Sequence, residues 1–410
     1  MYNIAIAFYA FVVHLVSPFN KKAKKMLAGQ KKTLALLKEK IDKNSPYIWF
    51  HAASLGEFEQ GRPLMEKIKQ EKPEYKILLT FFSPSGYEVR KEYQGADIVC
   101  YLPFDFLRNV TQFLDLASPS MAIFIKYEFW MNYLCQLKKR DIPTYIISAI
   151  FRPTQIFFRW YGRNYRKVLK NFNWFFVQDA KSKELLKRLD IQDNITISGD
   201  TRFDRVQEIY LKQKDIPLID KFLNKNNSDK NLILVAGSTW EKDEEILISY
   251  FNQTPEMKLI VAPHVIAEER LTAFSSKLNR PFVRYSQMEE KEAPDVDCLI
   301  VDCFGLLSSI YRYGTIAYVG GGFGAGIHNI LEAAVYGIPV IFGPNHSKFK
   351  EAKDLIECNG GISISGSDDF SSRMNTFLAY SSLLQETGNS AKNYVADNLG
   401  ATHKIYEKIF

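Results

Sequence analysis

The sequence predicts an α/β protein with two doubly wound domains, each built around a parallel sheet. Short apolar runs alternate with helical patterns along most of the chain, which is typical of parallel sheets covered by helices. The alternation occurs twice, on either side of a polar stretch. A glycine-rich turn between two apolar runs of the second half predicts a ligand site there.

The first series of apolar runs predicts an N-terminal domain over residues 46–211, followed by a polar linker over residues 212–230. The predicted strands are Tyr47 to His51, Lys76 to Phe82, Ile98 to Leu102, Met121 to Ile125, Thr144 to Ser148, Trp174 to Gln178 and Ile195 to Ser198. We expect the cleft between the two domains to hold the ligands.

The second series predicts a C-terminal domain over residues 231–410, whose last helix is expected to pack back on the first domain. The predicted strands are Leu232 to Ala236, Lys258 to Ala262, Cys298 to Val301, Thr315 to Val319 and Val340 to Phe342. Ligands of such sheets bind at the carboxyl ends of the strands.

Residues 1–45 form a separate apolar and basic segment. Residues 4–19 are apolar apart from His14 and Ser17, and a lysine-rich run follows. Because a bilayer span needs about 20 apolar residues, we expect an anchor, a tilted span or an interfacial helix, with the lysines at an anionic membrane face. A buried helix of a soluble core is the alternative.

Composition excludes several classes of protein. The formal charge of +7 is carried by residues 1–45, which hold nine lysines against Glu39 and Asp42, so that the rest of the chain is neutral in sum. That distribution argues against a general nucleic-acid coat. Five cysteines without a CxxC pair fit buried thiols in a reducing compartment, and no zinc-ligand spacing occurs.

Residues 318–346 predict a buried strand, a glycine-rich turn, a helix opening at His328-Asn329 and a second buried strand. The glycines from Gly320 to Gly326 let the backbone approach a ligand, and the free N–H groups at the helix start favour an anion. Glu332, one turn into the helix, is placed to accept hydrogen bonds from a ribose. Ordinary strand–turn–helix packing is the alternative, and the His-Asn-x-x-Glu pattern favours a nucleotide.

Both domains open with a strand that runs into a Ser-x-x-Glu pattern, Ser54 to Glu57 and Ser238 to Glu241. This is the spacing of a helix capping box. For Glu241, which precedes an acidic face, we expect only capping. Glu57 follows Gly56 at the tip of the first strand, where a carboxylate can take a proton from an attacking hydroxyl; capping remains its alternative.

An ordered series of motifs extends these patterns over nearly the whole chain. Besides the apolar, basic N-terminus, it comprises His51-Ala52-Ala53-Ser54-Leu55-Gly56-Glu57, Thr80 to Glu88, Tyr101-Leu102-Pro103-Phe104-Asp105, Glu128-Phe129-Trp130-Met131-Asn132, Gly199 to Asp204 and Gly320 to Pro344. The series resembles the 3-deoxy-D-manno-octulosonic acid (Kdo) transferases, which modify lipid A precursors on the cytoplasmic face of the Gram-negative inner membrane.

The resemblance implies a GT-B glycosyltransferase that uses CMP-Kdo as donor, inverts the anomeric centre and needs no metal or other cofactor. It implies that Glu57 is the general base and that Glu128 and Arg202 stabilise the transition state. A carboxylate can offset the positive charge of an oxocarbenium-like sugar, and a cation can hold the phosphate that leaves with CMP.

The resemblance also implies that the first domain binds the acceptor and that the second domain binds the donor through a set of residues. They are Pro263, His264, Phe304, Gly305, Leu306, Gly321, Gly322, Asn329, Ile330, Leu331 and Glu332. His264 stands where this family commonly has an arginine. The string Asp295-Val296-Asp297 looks like a metal-binding pair of carboxylates, but it precedes a predicted strand at the amino end, so we expect a loop.

Residues 152–170 contain six basic and no acidic residues, interleaved with aromatic ones. They predict an amphipathic helix with Arg159, Arg163 and Arg166 on its basic face. Together with Ser54 and Gly56, we assign these arginines to contact with a phosphorylated glycolipid acceptor or the membrane surface. A solvated charged face is the alternative.

Three functions are therefore compared. The first is transfer of Kdo from CMP-Kdo to a lipid A precursor at the inner membrane. The second is another GT-B transfer from a UDP-sugar, which differs in the nucleotide that stabilises the protein. The third is nucleic-acid binding, which the neutral bulk of the chain and the lack of an RNA-binding motif disfavour.

Overall fold

The computed structural model describes residues 2–213, 215–224, 232–288 and 295–410. The chain divides into two compact units, Met1–Arg205 together with Leu399–Phe410, and Val206–Asn398. In the described part of the chain each unit contains a parallel sheet of seven strands with helices packed against it. The predicted fold class, two doubly wound α/β domains, is confirmed.

The first unit has the strand order β3-β2-β1-β4-β5-β6-β7. Its strands are β1 (Tyr47–Ala52), β2 (Lys76–Phe81), β3 (Ile98–Tyr101), β4 (Met121–Ile125), β5 (Thr144–Ala149), β6 (Trp174–Val177) and β7 (Ile195–Ile197). Its helices are α1 (Tyr2–Val16), α2 (Lys21–Lys40), α3 (Leu55–Glu71), α4 (Pro84–Arg90), α5 (Leu107–Ala117), α6 (Met131–Lys139), α7 (Arg163–Leu169) and α8 (Ala180–Lys187), and α9 (Thr201–Leu211) runs across the boundary of the units.

The central strand β1 shows why strands could be predicted from apolar runs in the sequence. All six of its residues are buried, because a central parallel strand is covered on both faces. Trp49 belongs to the core on one face of the sheet, and Phe50 belongs to the core on the other. Parallel strands alternate their side chains in this way, so a polar residue inside β1, such as His51, lies in the core on the Trp49 face.

The second unit has the strand order β10-β11-β9-β8-β12-β13-β14. Its strands are β8 (Leu232–Thr239), β9 (Met257–Pro263), β10 (Phe282–Arg284), β11 (Cys298–Ile300), β12 (Ile316–Val319), β13 (Val340–Phe342) and β14 (Gly361–Ser363). Its helices are α10 (Pro217–Asn224), α11 (Glu241–Gln253), α12 (Glu268–Ser275), α13 (Leu307–Ile310), α14 (Leu331–Ala334), α15 (Lys350–Glu357), α16 (Ser367–Ala379) and α17 (Ser381–Asp397). The edge strands β10 and β14 were not predicted, because three partly exposed residues carry too little periodicity.

The predicted linker over residues 212–230 is wrong in part, since it contains α10. Ile219 and Phe222 of this helix are buried, and the Nζ atom of Lys258 in β9 donates to the carbonyl oxygen of Phe222 at 3.2 Å. Apolar residues at helical spacing were hidden in a polar stretch. Residues 225–230 of the predicted linker lie outside the described residues.

The last helix, α18 (Ala401–Ile409), belongs to the first unit. Ile405 and Tyr406 are buried in the same core cluster as Phe58 of α3. The carboxylate of Asp204 accepts hydrogen bonds from the backbone N–H groups of Gly400 and Thr402, which caps the start of α18.

The N-terminal helix α1 buries one stripe and exposes the rest of its apolar surface. Ala10 and Val13 pack in a cluster with Tyr101 and Phe104. The large exposed apolar side chains of this segment are Ile4, Phe8, Phe11, Leu15 and Phe19. Within the described residues, none of the helices reaches the length and apolarity of a membrane span by itself; only α1 and α2 taken together do so, with a bend of 118° between them.

Candidate active site

Glu57 lies at the start of α3, directly after the carboxyl end of β1. The hydroxyl of Ser54, the N-cap residue, donates to the Glu57 carboxylate and accepts no capping hydrogen bond from the backbone N–H groups of the helix. A capping box requires side-chain to backbone bonds in both directions, so the capping alternative for Glu57 is wrong. The half-buried carboxylate is instead oriented by a side-chain hydroxyl.

Glu128 follows β4 and is buried beside the end of β1. Its Oε2 atom accepts a hydrogen bond from Trp130 Nε1 at 2.7 Å and lies 3.2 Å from His51 Nε2. Strands β1 and β4 are neighbours, and His51 is paired in register with Phe124, which brings the two segments together. The pairing of adjacent parallel strands thus places a predicted carboxylate at the carboxyl edge of the sheet.

Sequence reasoning gave no role to His51, Thr80 or Trp49, which form a buried polar network with Glu128. His51 Nδ1 lies 2.9 Å from Thr80 Oγ1, and Trp49 Nε1 donates to the same oxygen at 2.8 Å. The available signal was a histidine inside an apolar central strand, because a buried polar side chain needs a hydrogen-bond partner.

Arg202 binds Asp200, which is another residue without a predicted role. The Arg202 Nε and Nη2 atoms lie 2.9 and 2.7 Å from Asp200 Oδ2, and Gln60 Nε2 donates to Oδ1 at 3.2 Å. Burial alone would raise the pKa of Asp200, but the charge and hydrogen bonds of Arg202 outweigh it and hold that pKa below its usual range. Much of the positive charge of Arg202 is therefore compensated within the protein.

The phenol of Tyr127 shows that these groups share one region of the first unit. Its pKa is raised by burial, and it also responds to the charges of Arg152, Glu57, Arg202 and Asp200. Tyr127 precedes Glu128 in the chain. The three residues assigned to catalysis follow the carboxyl ends of β1, β4 and β7 and so lie at the same edge of the first sheet. Gln60 of α3 also connects the helix that carries Glu57 to the pair of Asp200 and Arg202. Arg152, which had been counted only as part of a basic stretch, follows β5 at that edge.

The glycine-rich turn after β12 is held by hydrogen bonds from its own N–H groups. The residues whose N–H groups already have acceptors within the unit are Gly320, Gly321, Gly324, Gly326 and His328. One of these acceptors is a carboxylate, since Asp243 Oδ2 lies 2.9 Å from the Gly321 nitrogen. The turn thus uses these five N–H groups to fix its own shape.

The helix expected to open at His328-Asn329 begins at Leu331 and is a single turn, α14. A helix this short adds little dipole to any bound anion. Asn329 lies before the helix, and its Oδ1 atom accepts a hydrogen bond from the Leu331 N–H at 3.3 Å. Its Nδ2 atom donates to Glu332 Oε1 at 2.9 Å. The predicted Asn329 and Glu332 pair is therefore brought together.

Asp243 organises the turn and was missed by sequence reasoning. Besides the Gly321 N–H, it accepts hydrogen bonds from the Tyr318 hydroxyl at 2.7 Å and the Trp240 N–H at 2.9 Å. The last of these bonds caps α11, which begins at Glu241. The predicted capping by Glu241 is wrong, because the N-cap is Trp240 and Asp243 occupies the third position of the helix.

Three aromatic rings stack at the carboxyl ends of β8, β9 and β12. The His264 ring lies between Trp240 and His328, with centroids 4.6 and 4.5 Å away. Trp240 Nε1 also lies 3.1 Å from His328 Nε2. Burial lowers the pKa of both histidines. A cavity of about 480 Å³ opens beside the stack, between Trp240, Lys242 and Phe323.

The remaining predicted donor residues lie at the same edge of the second sheet. Pro263 ends β9, and Phe304, Gly305 and Leu306 follow β11. Gly305 has φ +92 and open space around it, and Phe304 is 77% exposed. Gly322 is packed against Gly343, where a side chain would collide with backbone.

The Asp295-Val296-Asp297 string behaves as a loop at the amino end of β11. Asp297 pairs with Arg280 at 3.1 Å, and its backbone groups bond to Leu259 and Pro281. Among the residues that the structure describes, no group of three or more His, Cys, Asp and Glu side chains is placed to hold a metal ion.

The basic stretch over residues 152–170 is not one amphipathic helix. It contains two 3-10 helices, Ile156–Phe158 and Trp160–Gly162, followed by α7. Arg166 does not share an open basic face, because it donates to the carbonyl oxygens of Phe157 and Arg159, both at 2.8 Å. Arg159 and Arg163 are exposed, as is Trp160.

Comparisons with known proteins agree with this architecture. The family model described as 3-Deoxy-D-manno-octulosonic-acid transferase (kdotransferase) matches residues 28–205. The 3-deoxy-D-manno-octulosonic acid transferase of Aquifex aeolicus (strain VF5) is 29% identical over 350 residues, which cover 83% of this chain and 89% of that protein. The transferase of the same name from Haemophilus influenzae is 26% identical, in an alignment that covers 88% of this chain and 86% of that protein.

Among solved structures, UDP-GlcNAc 2-epimerase from Neisseria meningitidis has the same fold. The two share a TM-score of 0.62 with 14% sequence identity, over 88% of this chain and 99% of that one. This likeness supports the GT-B architecture of two parallel-sheet units. The matching family model and the curated relatives show that the chain is similar to the glycosyltransferases of the Kdo transferase family.

Proposed function

We propose that this enzyme transfers Kdo from CMP-Kdo to a hydroxyl of a lipid A precursor, with inversion and without a metal. The observation that carries the proposal is the grouping of Glu57, Glu128 and Arg202 at one edge of the first sheet, inside the segment that matches the family model. The relatives are named for the transfer of Kdo, and we therefore propose Kdo as the sugar that this enzyme transfers.

The reaction forms a bond between the acceptor oxygen and the anomeric carbon of Kdo. The proton of the acceptor hydroxyl passes to the Glu57 carboxylate, which the Ser54 hydroxyl orients. The bond from the anomeric carbon to the phosphate oxygen breaks, and its electron pair leaves with CMP. Attack from the face opposite CMP inverts the anomeric centre.

Glu128 is assigned to the positive charge that builds up on the sugar. A buried carboxylate in a water-poor setting stabilises an oxocarbenium-like group more strongly than one in water. Arg202 is assigned a weaker role than the resemblance implied, because Asp200 already compensates its charge. Arg152, which acts on the same phenol of Tyr127, is the additional cation of this region.

The second unit is assigned to the donor nucleotide. Asn329 and Glu332 are hydrogen-bonded to each other, and a ribose hydroxyl can compete for the same groups. The rings of Trp240, His264 and His328 provide flat surfaces and hydrogen-bonding nitrogens beside a cavity. In this proposal CMP is bound by these groups and by the backbone near Ile330, without a divalent ion.

We further propose that the protein works at the cytoplasmic face of an inner membrane. The exposed apolar side chains of α1 lie next to the lysines that begin α2, a combination that favours an anionic lipid surface. The acceptor would be presented from that surface. The exposed Arg159 and Arg163 are assigned to its phosphates.

One assay tests the reaction. The protein is incubated with CMP-Kdo and a tetraacylated lipid A precursor in EDTA, and the product is weighed by mass spectrometry. We expect the mass of the acceptor to rise by Kdo units with the wild type and with Glu71→Gln, a control at the other end of α3. Glu57→Gln should lose turnover by about a hundredfold or more while CMP still raises its Tm.

The proposal fails if no Kdo is transferred, and its metal independence fails if EDTA abolishes transfer by the wild type. The alternative donor class is tested in the same preparation. If UDP raises Tm and CMP does not, the enzyme is a GT-B transferase that uses a UDP-sugar.

A further inference from the structure

We propose that His51 is a positioning residue that fixes the orientation of Glu128 by donating a hydrogen bond from its Nε2 atom to Glu128 Oε2. The inference rests on the proposed function in one respect, the assignment of Glu128 to the transition state. Its evidence is the buried hydrogen-bond network at the carboxyl end of β1.

The polar groups of this network are buried and therefore need hydrogen-bond partners within the protein. His51 has no exposed surface, and Glu128 is 8% exposed. Polar groups in such a position need partners, since an unpaired one costs more than a hydrogen bond contributes. His51 Nε2 and Trp130 Nε1 both face the same carboxylate oxygen, at 3.2 and 2.7 Å.

The protons of the network can be placed from its geometry. An indole N–H only donates, so Trp49 donates to Thr80 Oγ1 at 2.8 Å. We place the single hydroxyl proton of Thr80 on its shorter contact, with His51 Nδ1 at 2.9 Å, and not on the contact with the Phe50 carbonyl at 3.3 Å. Since Nδ1 accepts, Nε2 of the ring carries the proton.

The opposite tautomer is unfavourable. Trp130 Nε1 lies 3.2 Å from His51 Nε2 as well, but its single proton is directed at Glu128 Oε2, which is closer at 2.7 Å. With the only ring proton on Nδ1, His51 would therefore direct the lone pair of Nε2 at the lone pairs of Glu128 Oε2, 3.2 Å away. An imidazolium would donate from both nitrogens, with the Thr80 carbonyl 3.2 Å from Nδ1 as an acceptor, and would still donate to Glu128. Both favourable states therefore hold the carboxylate in the same way.

The consequence is an asymmetric carboxylate. Both donors bind Oε2, and Oε1 of Glu128 accepts no hydrogen bond from the residues that the structure describes. One oxygen is fixed while the other stays available to a positive centre. A carboxylate held in this way needs no reorganisation when charge develops nearby.

Two substitutions separate this role from packing. The amide nitrogen of His51→Gln can reach the position of Nε2 and donate to Glu128. The shorter amide of His51→Asn stays near the position of Nδ1 and meets Thr80 instead. We expect His51→Gln to keep kcat within about threefold of the wild type and His51→Asn to lose about tenfold to a hundredfold in kcat, with KM for CMP-Kdo nearly unchanged.

A second measurement does not depend on turnover. Selective ¹⁵N labelling of the six histidines, with the His51 signals assigned by their loss in His51→Gln, reports which ring nitrogen carries a proton. We expect a protonated Nε2 in the wild type. In Thr80→Val, which removes the hydroxyl and keeps the shape, the proton should shift toward Nδ1 and kcat should fall as in His51→Asn.

The inference is overturned if Nε2 of the wild type lacks a proton, or if His51→Asn keeps full kcat. Equal losses of kcat and Tm in the Gln and Asn variants would show that His51 acts only through packing, and would also overturn the inference. An absence of Kdo transfer by the wild type would instead refute the proposed function, and the tautomer measurement would still decide the geometry of His51.

Discussion

The guanidinium of Arg202 holds the buried carboxylate of Asp200 with two hydrogen bonds to one oxygen, at 2.9 and 2.7 Å. The backbone N–H of Arg202 binds the other oxygen at 3.0 Å. Burial works against the charge on Asp200, and the arginine reverses the effect, so that the pKa of Asp200 lies below its usual range. The pair is therefore a structural unit at the base of the candidate active site.

The sign of its pH dependence follows from that depressed pKa. Asp200 contributes stability above the pKa of an unfolded aspartate, and this contribution is lost as the pH falls through its folded pKa. Substitution of Arg202 by Met should reverse the relation, because burial would then outweigh the hydrogen bonds that remain from Gln60 and from the backbone N–H of residue 202. The pKa of Asp200 would rise above the unfolded value.

We predict that Arg202→Met lowers the free energy of unfolding by about 3–5 kcal/mol at pH 8, the usual cost of leaving a buried charge without its partner. The loss should shrink as the pH falls, because protonation removes the unpaired charge. Tm measured between pH 5 and pH 8 tests this. The double variant Asp200→Asn with Arg202→Met should be insensitive to pH over the same range, and a constant loss in the single variant would contradict the prediction.

The hydroxyl of Ser54 gives a second prediction, on rate rather than stability. Ser54→Ala removes the hydrogen bond that orients the Glu57 carboxylate. A bond of this kind is worth about 1 kcal/mol, so we expect kcat to fall roughly fivefold. Ser54→Thr, which keeps a hydroxyl, should stay near the wild-type value. A change confined to KM would show that Ser54 binds substrate and does not orient Glu57.

The central strands of the first sheet, β1 and β4, were predictable because all of their residues are buried. Each gives a continuous apolar run, and the alternation with helices then gives the fold class. The short edge strands Phe282–Arg284 and Gly361–Ser363 were not predictable, since half-exposed segments of three residues resemble loops. Helix α10 was hidden for a related reason, because polar residues surround Ile219 and Phe222.

The candidate site was predictable only where residues lie within one motif. Glu57 could be singled out from its place after the first strand, and Asn329 and Glu332 from their spacing, whereas Glu128 and Arg202 were assigned only through the resemblance of their motifs to the family. The partners that hold them come from distant parts of the chain. Asp243 meets Gly321 across 78 positions, and His51 meets Glu128 across 77. Such contacts follow from strand order, which a single sequence does not specify.

Asp243 supplies a prediction for the second unit. Asp243→Ala leaves the Gly321 N–H and the Tyr318 hydroxyl without their acceptor in a buried site. We expect a loss of about 3 kcal/mol or more in the free energy of unfolding, and a smaller rise of Tm on addition of CMP, because the glycine-rich turn loses its anchor. Glu245→Ala, on the exposed side of the same helix, is the matched control. Equal responses to CMP in both variants would contradict the prediction.

The basic segment allows charge and structure to be separated in one experiment. Arg159 and Arg163 are exposed, while the guanidinium of Arg166 holds two backbone carbonyls. We predict that Arg159→Glu with Arg163→Glu weakens binding to vesicles containing anionic lipid by at least about tenfold at low salt, because each basic residue near such a surface contributes about 1 kcal/mol. Tm should not change. Arg166→Ala should instead speed hydrogen exchange over residues 156–169, which Lys167→Ala should not do. Vesicle binding that survives the double reversal would assign the membrane contact to the apolar face of α1 alone.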